Sequence, residues 1–185
     1  MESLQGLLLV ASPELGDPNF RQTVVLIVRH TPDEGTLGLV LNRATSTSVR
    51  ELWQRMGQED CQQDTPLSLG GPCEGPLMAL HTEATIAEIE VLPGLYFTAS
   101  SDQLRALICE KHEGPVRFFF GYAGWAAGQL EMELQAGAWR TEPTGLRHVF
   151  ALQSELWERS ISEAAGWEVL AALRIKDVPV DPSRN

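Results

Sequence analysis

The sequence predicts a single α+β domain in which strands outnumber helices, and three observations carry that expectation. The chain has 185 residues, enough for one core, since a domain of this size buries roughly 70% of its unfolded surface. Short apolar runs bounded by Pro, Gly and polar residues recur along it, the signature of buried strands. Helical periodicity is confined to scattered stretches, with no regular β–α alternation of the kind that builds a doubly wound parallel sheet. An apolar share of 43% and a charged share of 21% exclude a disordered or fibrous chain.

Gly6 to Ser12 and Thr23 to His30 are rich in Leu, Val and Ile and are expected to pair centrally in a sheet. Between them, Asp17-Pro18-Asn19-Phe20 sets an N-capping residue before a Pro, the arrangement of a single helical turn. Gly35 to Leu41 resumes strand character after Thr31-Pro32-Asp33-Glu34-Gly35, which has the composition of a hairpin loop. After Ser48, the residues Val49, Leu52, Trp53 and Met56 recur at helical spacing and predict the first helix, with Trp53 in the core. Gln58 to Thr65 reads as a mobile surface loop ended by Pro66.

Leu67 to Gly71, Pro76 to His81 and Leu95 to Ala99 read as further strands, with Gly70-Gly71-Pro72 and Gly75-Pro76 as punctuation. Ser101 is placed to cap a second helix carrying Leu104, Leu107 and Ile108, which Gly114-Pro115 stops. Val116 to Phe120 is an apolar strand. Gln129 to Leu134 alternates strictly and predicts a half-exposed strand, with Leu130, Met132 and Leu134 inward and Gln129, Glu131 and Glu133 in solvent. Trp139 to Thr141 and Leu146 to Phe150 predict a closing hairpin around Pro143-Thr144-Gly145. A third helix, with Trp157 on its core face, is expected from about Ser154 towards Ala165. Trp139 and Trp167 have no evident place in this scheme. Residues 1–175 form one domain in this reading, and residues 176–185, with two prolines, a loose tail.

Composition excludes several function classes. The longest apolar runs, Leu7 to Ala11 and Val24 to Val28, fall far short of the roughly 20 residues of a membrane-spanning helix. The start Met-Glu-Ser has no basic n-region, so the expected compartment is the cytoplasm. Cys61, Cys73 and Cys109 form an odd set without a C-x-x-C pair and are expected to be reduced thiols. With 25 acidic and 14 basic residues the net charge is −11, which opposes phosphate backbones and anionic lipid.

Three segments combine glycine with hydrogen-bonding side chains at strand ends: Asn42-Arg43, Gly70-Gly71-Pro72, and Gly121-Tyr122-Ala123-Gly124-Trp125. Glycine lets backbone approach closely, Arg43 offers a planar fork for a carboxylate or phosphate, and Tyr122 and Trp125 could wall a pocket. These residues, with Gln129, form the candidate binding site for an unidentified small molecule or protein partner. A thiol hydrolase built on Cys73 and His81, with Asp102 orienting the imidazole, is the enzymatic alternative. His30, His112 and His148 stand apart, so no metal site is expected, and no dinucleotide, phosphate-loop or nucleophile-elbow motif implies a cofactor. A direct DNA-binding regulator is the other alternative, although no helix-turn-helix pattern or basic stripe accompanies it.

Leu7-Leu8-Leu9-Val10-Ala11-Ser12-Pro13, Asp17-Pro18-Asn19-Phe20, Gly38-Leu39-Val40-Leu41-Asn42-Arg43, Gly70-Gly71-Pro72 and Gly121-Tyr122-Ala123-Gly124-Trp125 with Gln129-Leu130-Glu131 together resemble the bacterial AlgH/YqgE family, in order and spacing over nearly the whole chain. Ala44 stands where that family tends to have Pro, and Cys73 where Val is common. The resemblance implies a single cytoplasmic domain of coiled, partly split mixed or antiparallel β-sheets with a few flanking helices. It implies no established reaction, and it carries the label of a transcriptional regulator, which this acidic chain would satisfy through a protein partner.

Overall fold

The computed structural model describes residues 3–58, 61, 64–110, 112–151 and 156–162. Its strands are β1 (Leu8–Ala11), β2 (Val24–Thr31), β3 (Gly35–Val40), β4 (Ala44–Ser48), β5 (Pro66–Leu69), β6 (Cys73–His81), β7 (Ile89–Leu92), β8 (Leu95–Thr98), β9 (Val116–Trp125) and β10 (Trp139–Glu142). The helices are α1 (Val49–Arg55), α2 (Ser101–Cys109), α3 (Gln129–Gln135) and the single turn α4 (Leu146–Val149), with a 3-10 turn at Ala84–Ile86. The main strand order is β10-β1-β2-β3-β9-β6-β8-β7, and β5 attaches beside β9 with β4 outside it. Only β5 and β9 pair in parallel among the described residues; every other pairing is antiparallel.

β9 holds the two parts of this split sheet together. Its first half pairs with β5 and β6, and its second half pairs with β3. Gly121 lies between the halves at φ 72°, a left-handed conformation that glycine adopts without a Cβ penalty and that lets the strand turn from one section to the other. The period of two then distributes its side chains to different cores. Phe119 packs with Leu26, Leu39 and Leu80 in a central cluster. Phe118 packs with Trp53, Leu104 and Leu107 beneath α1 and α2. Trp125 joins Leu9, Val25, Leu130 and Trp139 on the face covered by α3.

The apolar runs at β1, β2 and β3 form adjacent central strands, as their composition predicts. Around Asp17 the amides of Phe20 and Arg21 bond its carbonyl and that of Asn19 bonds its carboxylate, which gives a hydrogen-bonded turn. At α1, the Ser48 hydroxyl accepts the Glu51 amide while the Glu51 carboxylate accepts the Ser48 amide, a reciprocal capping box.

Other elements differ from expectation. Gln129 to Leu134 is helical. Gly128, at φ 71°, breaks the chain direction before it, and the residues are strong helix formers. Leu130 is then buried while Met132 is 64% exposed, which a strand would not allow for residues on one face. Leu146 to Phe150 forms the turn α4 that buries Val149, not a hairpin arm. Ser100, not Ser101, stands at the N-cap position of α2, without a side-chain capping bond, and the Glu88 carboxylate receives the amides of Ala99 and Ser100 there. Desolvation alone would raise the Glu88 pKa, but those amides and the Thr98 hydroxyl together hold it below the ordinary carboxylate value.

Within the stretch Gln58 to Thr65 expected as a mobile loop, Cys61 is buried in the cluster beneath α1 and α2, while residues 59–60 and 62–63 lie outside the described residues. Three elements lie where no expectation was made: the polar strand β4, β7, and the 3-10 turn. Residues 156–162 are helical, in the span expected for the third helix, and Trp157 donates its indole N–H to the Ala11 carbonyl at 2.9 Å. Trp167 and the expected tail 176–185 lie outside the described residues.

Candidate functional site

The two glycine-bearing segments are packed backbone to backbone. The Gly70 amide bonds the Phe120 carbonyl at 2.9 Å, and the Gly70 carbonyl accepts the Val40 amide at 2.8 Å. A Cβ on Gly70 would lie 2.2 Å from the Gly121 carbonyl oxygen, and one on Gly71 would lie 2.2 Å from the Tyr122 carbonyl carbon. No side chain fits in either place. The third segment joins them through the Leu69 amide, which donates to the Arg43 carbonyl at 2.8 Å. Asn42-Arg43, Gly70-Gly71-Pro72 and Gly121-Tyr122 therefore meet at one junction of β3, β5, β6 and β9.

The groups at the junction divide by role. Asn42 is used internally: its Oδ1 accepts the Val24 amide at 2.9 Å and its Nδ2 donates to the Gln22 carbonyl at 2.8 Å. This clamp holds the turn in which Gln22 takes a positive φ of 56°. Arg43 is half-buried and donates from Nη2 to the Arg21 carbonyl at 2.7 Å, and among the described residues neither arginine forms an ion pair. The half-buried Tyr122 ring lies between two glycines: a Cβ on Gly75 would approach its Cδ1 at 2.9 Å, and one on Gly124 its Cε2 at 3.1 Å. Pro72 and Gly124 are exposed.

Trp125 and Gln129 belong elsewhere. Trp125 is 4% exposed, stacked on Phe20 at 5.8 Å and edge-on to Trp139 at 5.8 Å. Its indole N–H and that of Trp139 both reach Glu133 Oε2, at 2.9 and 2.8 Å, while Gln129 Nε2 donates to Glu133 Oε1 at 2.9 Å. Trp125 is a core residue, buried with a carboxylate on α3 satisfying its one polar atom. Glu133, expected in solvent as a strand residue, is the acceptor that closes this cluster. Glu131 also turns inward, 3.5 Å from Nε2 of the buried His30.

Three further residues bear on the junction that the sequence reading did not single out. Arg117, 8% exposed, donates to the Val149 and Leu41 carbonyls, each at 2.6 Å, and to the Ser68 hydroxyl at 3.2 Å, and lies over the Phe119 ring. It holds the residue immediately before Asn42 in place. Burial pulls its pKa down to about 10, which leaves it charged at neutral pH. The signal available was one arginine inside an apolar strand. Leu69 and Phe120 are directly paired across β5 and β9 and stand 44% and 43% exposed beside Arg43.

The hydrolase set is not assembled. Cys73 and His81 occupy opposite ends of β6, roughly 25 Å apart at about 3.3 Å per strand residue. His81 is buried, and its Nδ1 accepts the Glu83 amide at 3.3 Å. Burial pushes its pKa below the ordinary histidine value, with the Glu83 amide opposing and His112 adding to the fall. Asp102 is exposed on the first turn of α2. A depression of about 380 Å³ lies near the His81 end, where Glu83 and Thr85 face Leu107, Glu110 and His112. Among the described residues no three metal-ligating side chains cluster, and no helix is long and apolar enough to cross a membrane.

Residues 8–168 match the protein-family model described as DUF179, AlgH-like. A UPF0301 protein of Chlorobaculum tepidum is 38% identical over 167 residues, 87% of each chain. One from Thermobifida fusca is 34% identical and covers 99% of this chain and 96% of its own. The solution structure of AlgH from Pseudomonas aeruginosa superposes with a TM-score of 0.71 at 32% identity, covering 97% of this chain and 96% of that one. A crystal structure from Corynebacterium diphtheriae, with a TM-score of 0.67 at 21% identity and 88% of each chain covered, shares the fold.

Proposed function

The chain belongs to the AlgH-like family, and from that premise we propose that it is a non-enzymatic binding module that receives a protein partner at the glycine junction. The observation that carries the reading is the grouping of Arg43, Leu69, Pro72 and Phe120 on accessible surface over a backbone packed too tightly for side chains at Gly70 and Gly71. Large apolar side chains paired in the open beside a guanidinium mark a contact surface more than a solvated face. Small molecules favour concave, enclosed sites, and this junction is an open sheet end, which supports a protein partner over a small ligand. The separation of Cys73 from His81 supports the non-enzymatic half of the reading. With a net charge of −11, a regulatory role in the cytoplasm would run through that partner and not through direct contact with a phosphate backbone.

A photo-crosslinking amino acid placed at position 120, compared with the same group at the exposed position 132 on α3, tests the proposal in producing cells. A discrete adduct at 120 that is missing at 132 and disappears in Arg43→Glu is the expected result. Equal adducts at both positions, or none at 120, would remove the junction from consideration.

A further inference from the structure

We infer that the occupant of the junction is an acidic peptide segment of another protein, one that sets a large apolar side chain next to a carboxylate. The inference rests on the binding-module reading above and adds the chemistry of the partner.

The apolar half of the argument comes from strand register. Leu67 pairs with Phe118 and Leu69 with Phe120, so all four side chains lie on the face that α1 and α2 cover. Leu67 and Phe118 are buried there. Leu69 and Phe120, one pleat further on, run out of the covered region, and the buried Leu77 flanks Phe120 on the other side. The apolar face beneath the helices therefore continues onto the surface as a short ledge that one or two apolar side chains could cover.

The charged half comes from Arg43. The Arg43 carbonyl holds the Leu69 amide, and its guanidinium is fixed to the Arg21 carbonyl. Arg43 therefore adjoins the ledge without an ion pair among the described residues, in a chain with 25 acidic and 14 basic residues. Charge complementarity selects a carboxylate-bearing partner here. It disfavours a second copy of the chain and an anionic membrane, because the remaining surface repels both.

The test is selection of a random dodecapeptide display library on the wild-type protein, with Arg43→Glu and Phe120→Ser as counter-selection targets whose fold is checked by thermal melting. The expected outcome is an enriched consensus with Asp or Glu adjacent to Leu, Phe or Trp. A synthetic peptide of that consensus should bind roughly tenfold more weakly to each variant, and more weakly still as NaCl rises from about 0.05 to about 0.5 M. A basic or purely polar consensus, or none that depends on Arg43 and Phe120, would overturn the inference even where crosslinking at position 120 succeeds. Sedimentation showing a wild-type dimer that Phe120→Ser dissociates would also overturn it, by assigning the ledge to self-association. A failed crosslink at position 120 would instead count against the binding module itself.

Discussion

Each half of β9 ends in an aromatic residue, and the two have opposite fates: Phe120 is 43% exposed and Trp125 is 4% exposed. The strand supplies the same backbone to both. The difference lies in what covers them. Above Trp125, α3 brings Glu133 to its indole N–H, and the turn after Asp17 brings Phe20 to its face. Above Phe120, α1 and α2 reach Phe118 and Leu67 and no further. One end of the strand is a closed, polar-satisfied cluster, and the other is an unfinished apolar edge next to an arginine. An aromatic side chain in a strand therefore marks core or contact surface according to the neighbour that arrives from elsewhere in the chain.

The largest effect that could break this contrast is at Trp125. Trp125→Ala should cost about 3–5 kcal/mol in urea unfolding, because it empties a packed aromatic cluster. A loss below about 1 kcal/mol would show that the indole is not the keystone of that end. Next comes the junction's backbone. Gly71→Ala places a methyl group 2.2 Å from the Tyr122 carbonyl carbon, an overlap with main chain that no rotamer relieves, so about 3 kcal/mol should be lost. Full stability in that variant would mean that the two strand ends are not tightly apposed.

Glu133 tests why the closed end closes. Glu133→Ala leaves two indole N–H groups and the Gln129 amide without their acceptor, which should cost about 2 kcal/mol. Glu133→Gln retains one oxygen for the two indoles and should lose about half as much. If the two substitutions were equally damaging, charge and not hydrogen-bond acceptance would be the relevant property.

Much of the fold was legible for plain physical reasons. The runs at Leu8–Ala11 and Val24–Val28 are fully buried, so their composition alone specifies central strands. The helical spacing of Val49, Leu52, Trp53 and Met56 after Ser48 announced α1. β4 was not legible because it is a polar edge strand, tied to β5 through the Thr45 hydroxyl on the Leu67 carbonyl and not by apolar side chains. α3 was misread because Leu130 and Leu134 fit both a period of two and an i, i+4 helical spacing, and only the left-handed Gly128 decides between them. At the candidate site, glycine correctly marked close backbone approach at Gly70 and Gly121. The exchange of roles between Trp125 and Phe120 was hidden, since it depends on where α1, α2 and α3 lie across the sheet, which no local pattern records.

The smallest predicted effect bears most directly on the open end. Phe120→Ser removes a large side chain that is already part-solvated, and serine restores a polar group to a position in contact with water. Unfolding free energy should change by less than about 1 kcal/mol, in contrast to the cost at Trp125 only five residues along the same strand. A loss as large as that of Trp125→Ala would mean that Phe120 is a core residue seen at its edge, and the distinction between the two halves of β9 would collapse. Near-constant stability would establish that the fold does not need this ring, leaving recognition as the property to measure in the same variant.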